Sequence, residues 1–217
     1  MRSQQSGFTL VEIAIVLVII GLLLGGILKG QELINSARVK NIANDFRVVP
    51  TLIYAYQDKF RALPGDDPQA TPHLTGATNA TTPGAVGNGV IDGQWNSATG
   101  TDESYLFWQH VRLANLQAGV TTAGQPEYIP RNAVGGQIGV SGTSAAQLQI
   151  TGMTGTYQVC SSGITGNLVK QLDIQMDDGN TALGSMRAVA DGAAVPSAAV
   201  ATASILDGSP YTVCMTF

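Results

Sequence analysis

The sequence has few of the residues on which catalytic sites depend. Its 217 residues include two histidines, and neither His73 nor His110 lies in a context typical of a catalytic base. There is no Gly-rich phosphate loop after a strand, no Cys-x-x-Cys pair and no histidine cluster for zinc. We therefore do not expect an enzyme, and we interpret both histidines as packed or solvated side chains.

Basic residues are scarce in the larger part of the chain. Residues 1–63 carry seven Lys or Arg against four Asp or Glu, a balance of +3, whereas residues 64–217 carry four against eleven, a balance of −7. The four basic residues of the second part are scattered: Arg112, Arg131, Lys170 and Arg187. Because nucleic-acid binding needs positive charge that follows the phosphates, we expect no direct binding of nucleic acid.

Near the N-terminus, a long apolar run contains a single carboxylate. Residues 8–28 form a run of 21 residues in which Glu12 is the only charged side chain. A helix of that length, at about 1.5 Å per residue, matches the roughly 30 Å core of a bilayer. A charge inside a bilayer costs roughly 2.5–3.5 kcal/mol, so we expect Glu12 to have a partner. Nothing within the run is expected to serve, because the nearest cations are Arg2 and Lys29.

Cleavage between Gly7 and Phe8 would supply that partner, since the new amine would lie about one helical turn from Glu12. Five positions are in register with a known motif: Gly7, Phe8, Thr9, Leu10 and Glu12. They resemble the N-terminus of type IV prepilins and type II secretion pseudopilins. An ordinary secretory signal would instead place its cleavage site after the apolar core, and a plain signal anchor would explain neither Glu12 nor the Gly7-Phe8 junction.

The resemblance implies a function, a location and partners. It implies a pilin that is cleaved after Gly7, N-methylated on Phe8 and polymerised with copies of itself into a helical filament, in which Glu12 pairs with a neighbour's amine. The precursor would lie in the bacterial inner membrane with its head in the periplasm, and the filament on the cell surface. A prepilin peptidase and methyltransferase, an assembly ATPase and a platform protein are the implied partners.

Other functions are compatible with the same N-terminus. The chain could be a pseudopilin or a minor pilin of a secretion or DNA-uptake machine. From a different class, it could be a periplasmic binding module or enzyme that uses the apolar run only as a membrane anchor.

A second helical pattern follows the apolar run. Apolar residues recur three or four positions apart and predict one buried helix face: Val39, Ile42, Phe46, Val49, Ile53, Tyr56, Phe60 and Leu63. Charged residues between them, among them Asp45, are expected to face water. Pro50 predicts a kink, and Pro64-Gly65 predicts the helix end after Leu63.

The rest of the chain, residues 64–217, is called the head and reads as mixed helix and strand. Helices are predicted at 103–117 and 167–176. Alternating runs predict antiparallel strands at 137–140, 147–150, 156–160, 185–190 and 211–217. We therefore predict an α+β fold of the type IV pilin kind, with a long N-terminal helix packed on an antiparallel sheet. The predicted divisions are a leader (1–7), a membrane or filament-core helix (8–28), an amphipathic stem helix (29–63) and the head.

Cysteine is limited to Cys160 and Cys214. Each ends a Tyr-x-Val-Cys segment that alternates as a strand does, and an exported chain with two cysteines is typical of a disulfide. We predict a Cys160–Cys214 disulfide, with two unrelated buried thiols as the alternative.

The long segment 65–102 is rich in Gly, Thr, Asn and Asp and has little periodicity. Its oxygen-bearing side chains predict a possible calcium site at Asp66, Asp67, Asn88 and Asp92. Ordinary Asx and glycine turns are the alternative. A similar choice applies to residues 177–180, which read as a turn or as a second metal loop.

The Gly7-Phe8 junction predicts a mature chain that begins at Phe8 and carries one methyl group on its amine. Intact-mass analysis of sheared fibres measures both features, and Gly7→Val should leave the protein unprocessed. A mature chain that retains Met1 or Arg2 would contradict the prediction.

Overall fold

The computed structural model describes Gly7 and residues 9–217. The helices are α1 (Leu10–Phe60), α2 (Ala70–His73), α3 (Glu103–Leu113) and α4 (Gly166–Met176). The strands are β1 (Ile138–Gly142), β2 (Tyr157–Thr165), β3 (Met186–Ala190) and β4 (Pro210–Thr216), with a single 3₁₀ turn at Thr202–Ser204. A long N-terminal helix and an antiparallel sheet confirm the predicted α+β fold class.

The chain forms two compact units, one that ends at Arg38 and one from Val39 to Phe217. Residues of α1 belong to both units. The predicted divisions at residues 7, 28 and 63 stay a prediction. Leader residues 1–6 lie outside the described part of the chain.

In the first unit, α1 is an exposed apolar helix. Every residue from Thr9 to Lys29 is exposed. The helix is uninterrupted through Gly21, Gly25 and Gly26, although each glycine lowers helix propensity by about 1 kcal/mol relative to Ala. Among the described residues, α1 is the one helix that is long and apolar enough to cross a membrane, judged by length and composition.

In the second unit, the amphipathic half of α1 (residues 39–60) buries the predicted stripe. Six of its positions are buried: Val39, Ile42, Phe46, Val49, Ile53 and Tyr56. Phe60 and Leu63 are partly buried. The expectation that Asp45 faces water is wrong, because this side chain is half-buried and its burial raises its pKa to about 6.

The end of α1 lies at Phe60 and not at Leu63 as predicted. Arg61 takes the left-handed conformation, with a φ of 58°, and a left-handed residue ends a helix in the way that glycine commonly does. The stop signal at Pro64 therefore lies beyond the real end. The helix continues through Pro50, and the kink predicted there stays a prediction.

α3 and α4 pack into the same core as residues 39–53 of α1. α3 ends at Leu113 and not at Gln117 as predicted, because Asn115 has a φ of 61°. α4 matches the predicted helix and begins one residue earlier, at Gly166. Its core-facing residues are Leu168, Val169 and Leu172.

The four strands pair antiparallel in the order β1-β2-β4-β3. Val159 and Cys160 are adjacent on β2, so their side chains point to opposite faces of the sheet. Val159 belongs to the large core that includes residues of α1 and α3. Cys160 belongs to a smaller cluster with Trp95 and Ile150. Both faces of the sheet are therefore covered.

The predicted strand at 147–150 is wrong. Gln147 lies in a hydrogen-bonded turn, and Ile150 makes only an isolated bridge to Ser197. Leu148 and Ile150 are buried in the smaller cluster on the second face of the sheet. Gln147 and Gln149 are buried as well, because their side-chain amides are hydrogen-bonded to Asp92 and Trp95. The polar positions of this run therefore do not face solvent as those of a half-buried strand would.

The predicted disulfide is confirmed. Cys160 and Cys214 lie directly opposite each other on β2 and β4 and are bonded. Both residues are fully buried. The bond joins positions 54 residues apart, and the loop-entropy estimate for a closure of that size is about 4 kcal/mol.

We expect the double variant Cys160→Ser, Cys214→Ser to unfold about 10 °C below wild type, because its unfolded chain regains the loop entropy. Thermal unfolding followed by tryptophan fluorescence measures the difference, since both tryptophans are buried in the head. A reductant is the matched control: it should lower the Tm of wild type to that of the variant and leave the variant unchanged. Equal Tm values for oxidised wild type and the variant would contradict the prediction.

Candidate functional site

The start of α1 is a reciprocal capping box formed by Thr9 and Glu12. The backbone N–H and the hydroxyl of Thr9 donate to Oε2 of Glu12 at 2.7 and 2.8 Å. In return, the backbone N–H of Glu12 donates to the Thr9 hydroxyl at 3.3 Å. The two residues thereby satisfy N–H groups that a helix start leaves unpaired. The carboxylate also lies at the positive end of the helix dipole.

This capping box corrects the expectation that nothing within the apolar run can partner Glu12. The sequence contains the signal, because Thr-x-x-Glu before an apolar run is the spacing of a capping box. Glu12 is already hydrogen-bonded in the single chain, so a pairing with an amine would be an additional interaction. Gly7 is exposed. Phe8 lies outside the described residues, and cleavage and methylation at this junction stay predictions.

In the head, Asp66 fixes the long segment between α1 and α3. Its carboxylate accepts the backbone N–H groups of Gly87, Asn88 and Gly89, the last two at 3.1 and 2.7 Å. Three successive N–H groups that converge in this way form an anion-binding nest. Here the nest holds a side chain of the same protein, which ties together positions as far as 23 residues apart.

Asp67 has a separate set of partners. The hydroxyl of Tyr56 and the backbone N–H of Gln69 each donate to it at 2.8 Å, and Nδ1 of His73 lies 2.7 Å from its Oδ2. His73 is on α2, a one-turn helix that the sequence pattern did not predict. Asp67 therefore joins α1, through Tyr56, to the first turn of the long segment.

Asn88 and Asp92 continue the network that begins at Asp66. Nδ2 of Asn88 donates to Asp92 at 2.9 Å, while its Oδ1 accepts the N–H of Val90 at 2.8 Å, which is an Asx turn. Nε2 of Gln147 also donates to Asp92, at 2.8 Å. The segment is thus held to the loop that covers the sheet.

Of the four predicted calcium ligands, the structure brings three together and leaves one apart. Asp66, Asn88 and Asp92 form one hydrogen-bonded chain, whereas Asp67 belongs to the set around Tyr56. The carboxylate oxygens of this group accept N–H and O–H donors, as the Asx- and glycine-turn alternative expects. Calcium at this segment stays a prediction.

Glu103 adds another carboxyl group to this region, and no sequence pattern singled it out. It is fully buried at the start of α3. Its Oε2 accepts the N–H of Asp92 at 2.8 Å, and no donor of the described residues reaches its Oε1; protonated Glu103 can instead donate to Asp66. Burial raises the pKa of Glu103 to about 8 against the lowering effect of the Asp92 N–H, and the nearby charges of Asp66 and Asp92 and the hydrogen bond to Asp66 raise it further. The side chain is therefore mainly protonated at neutral pH.

His110 is a packed residue, as predicted. It is fully buried, and burial lowers its pKa. Its Nδ1 accepts the N–H of Gly65 at 2.9 Å, and its Nε2 lies 2.9 Å from the carbonyl oxygen of Thr78. Neutral His110 with its proton on Nε2 satisfies both contacts. Both ring nitrogens thus hold the loop to α3.

Comparison with known proteins supports the N-terminal site. A family model described as the prokaryotic N-terminal methylation motif matches residues 2–28. The match confirms the resemblance of this N-terminal segment to the N-terminus of type IV pilin-like and pseudopilin precursors. Such precursors are structural proteins that a membrane helix anchors and a prepilin peptidase processes. Neither the curated proteins nor the solved structures gave a significant match.

We expect Glu103→Gln to remove part of the pH dependence of stability. The folded state holds the proton of Glu103 up to about pH 8, whereas the unfolded chain releases it near pH 4.5, so this residue makes stability fall as pH rises between those values. The Tm of the variant minus that of wild type should therefore grow from pH 5 to pH 8.5. The exposed Glu127 provides the control for the loss of a carboxyl group, and Glu127→Gln should not reproduce this growth. A constant difference for Glu103→Gln would show that its carboxyl group is not protonated by the fold.

Proposed function

We propose that this protein is a structural subunit that is cleaved between Gly7 and Phe8 and then polymerises into a type IV pilus-like filament. Before assembly, the precursor would span the inner membrane once, with its head in the periplasm. After assembly, it would be part of a filament on the cell surface. The proposal rests on one observation: the apolar half of α1 (residues 10–29) is exposed and contains a single carboxylate.

The apolar half of α1 is exposed among the described residues, so its side chains require an apolar environment in addition. Its exposed large apolar side chains number 14 between Leu10 and Leu28. Soluble monomers rarely expose a contiguous apolar surface of more than a few hundred Å². At about 1.5 kcal/mol or more for each such side chain, burial in lipid or against other helices is worth on the order of 20 kcal/mol. That gain far exceeds the roughly 3 kcal/mol that Glu12 costs in a bilayer.

Glu12 would set the register between neighbouring subunits. Cleavage leaves the new amine on Phe8, directly before Thr9, so each subunit would carry an amine and a capped carboxylate at the same end of α1. A carboxylate can accept about four hydrogen bonds, and both donors of Thr9 end on Oε2. Oε1 gives the carboxylate the capacity to accept a neighbour's amine as well. Thr9 would then hold Glu12 in place before the subunits meet.

The same geometry explains why the assembly would be a filament. Pairing the amine of one subunit with Glu12 of the next uses two different groups, so the contact is head-to-tail. A head-to-tail contact that does not close on itself generates an open helix. Apolar contacts between α1 helices would supply the adhesion, while the ion pair would select one axial position.

The implied partners are copies of the same chain, the prepilin peptidase and methyltransferase, an assembly ATPase and a platform protein. We expect no enzymatic activity, since His110 and the aspartates near α2 serve structural hydrogen bonds. The alternatives differ in where the protein is found. A pilin would be the bulk component of sheared surface fibres, a pseudopilin or minor pilin a rare one, and an anchored binding module would stay in the membrane fraction.

We expect Glu12→Leu to abolish or strongly reduce surface filaments while the protein accumulates in the inner membrane. The variant lacks the charge that opposes insertion, so insertion should be unharmed, but it also lacks the group that pairs with a neighbour's amine. Glu12→Gln should be intermediate, because its amide oxygen accepts a hydrogen bond without carrying charge. Quantitative blotting of sheared fibres and membrane fractions measures both effects.

Glu32→Gln is the matched control for the loss of a carboxylate from the same helix. Glu32 is exposed and pairs with Lys29 at 2.7 Å, beyond the apolar run, so its replacement should leave filament yield unchanged. Wild-type fibre yield from Glu12→Leu cells would overturn the pairing. Loss of Glu12→Leu protein from the membrane would instead assign Glu12 to stability or targeting.

A further inference from the structure

Three aspartates converge where α4 ends. Asp173 is in the last turn of α4, Asp177 is the residue directly after the helix, and Asp178 follows it. One carboxylate oxygen from each residue lies within 4.8 Å of the others. The side chains range from buried Asp173 through half-buried Asp177 to exposed Asp178. The group therefore extends from the protein interior to solvent.

Asp173 is the member that the rest of the fold leaves unsatisfied. It is 1% exposed, yet neither of its carboxylate oxygens has a hydrogen-bond partner among the described residues. Burial raises its pKa to about 7, and the charges of Asp178 and Asp177 raise it further. A buried carboxylate without partners is costly, and proteins normally neutralise or pair such a group.

The surroundings of the three aspartates increase that cost. The carboxyl end of a helix carries a partial negative charge, which disfavours further negative groups. α4 has no basic residue in its last turn, and none of the salt bridges found in the described part of the chain includes these aspartates. A proton on Asp173 would neutralise one group and leave the other two facing the helix end.

We propose that Asp173, Asp177 and Asp178 form a binding site for a calcium ion. Ca²⁺ takes six to eight oxygen ligands and accepts irregular sets of carboxylates, with water completing the shell. Asp173 would offer its two unpartnered oxygens, and exposed Asp178 would leave the ion open to water. Mg²⁺ fits less well, since it demands regular octahedral geometry.

Asp177 is already oriented by the protein, which favours a preformed site. Its Oδ2 accepts the N–H of Met186 at 2.8 Å and its Oδ1 accepts the hydroxyl of Ser185 at 3.2 Å. Gly184 packs directly against this carboxylate, where a Cβ atom would clash, and its φ of 70° is in the left-handed region. The turn before β3 thus holds one ligand in place, and lone pairs remain on its oxygens for an ion.

Calcium should stabilise the head through this site. The experiment uses the full chain in detergent, stripped with a chelator, and follows thermal unfolding by the fluorescence of buried Trp95 and Trp108. At pH 7.5, CaCl₂ at about tenfold excess over Kd should raise the Tm of wild type by about 3–6 °C. Asp173→Asn and Asp178→Asn should abolish or strongly reduce this rise, and calorimetric titration should show one Ca²⁺ fewer per chain.

Two controls make the result specific. Asp58→Asn removes the same charge from an exposed position on α1 and should keep the full calcium response. Asp92→Asn alters the other candidate group, around Asp66, and should keep the part of the response that Asp173→Asn and Asp178→Asn remove. If wild type shows no calcium response while Asp173→Asn raises the Tm at pH 7.5, Asp173 is only a protonated buried acid and the proposal is overturned. A response that survives in Asp173→Asn and Asp178→Asn but disappears in Asp92→Asn overturns it as well.

Discussion

The structure depends on one helix whose two parts differ in what surrounds them: one part is exposed and apolar, and the other is packed in the core. From Thr9 to Lys29, α1 exposes its apolar side chains, whereas from Val39 onward the same helix contributes a buried stripe to the core of the head. The head packs on residues 39–60 of α1, because these residues present a continuous apolar face. The apolar half, in contrast, leaves its side chains exposed among the described residues. The proposed membrane anchoring and the proposed subunit association would both use this exposed apolar surface.

Glu12 is tolerable on that surface because of where it lies. At the third position of the helix, its carboxylate accepts the backbone N–H and the hydroxyl of Thr9, the residue directly before the helix. The same charge one or two turns further along would have no such donors, since backbone N–H groups there are already paired within the helix. The helix start therefore accommodates the acid and fixes the orientation of its carboxylate.

The head also has to accommodate carboxylates without basic partners, because it carries many more acidic than basic residues. With four basic residues against eleven acidic ones, most of its carboxylates cannot be paired with Lys or Arg. Asp66, Asp67 and Asp92 are satisfied instead by backbone N–H groups, a tyrosine hydroxyl and side-chain amides. These bonds give the long segment between α1 and α3 a defined path although it contains only one helical turn.

Glu103 and Asp173 are carboxyl groups that such hydrogen bonds do not fully satisfy. Each is buried, and each has an oxygen that no donor in the described residues reaches. Glu103 accepts one N–H from Asp92. Protonation of its carboxyl group removes the remaining charge without a further ligand. Asp173 has no such bond and lies beside two further aspartates at a helix end, where a cation neutralises more charge than a proton does.

The amino-acid sequence by itself determined the elements whose signals are local or repeated. The Gly7-Phe8 motif, the apolar run, the stripe from Val39 to Tyr56 and the paired Tyr-x-Val-Cys segments each depend on residues a few positions apart, so they could be interpreted without coordinates. The tertiary structure decided the rest. Segment 147–150 has the alternation of a strand, but it is a loop over the sheet in which all four side chains are buried. Arg61 and Asn115 end their helices although neither is the glycine that marks such ends. The charge states of Glu103 and Asp173 depend on burial, and burial is set by neighbours that are distant in the sequence.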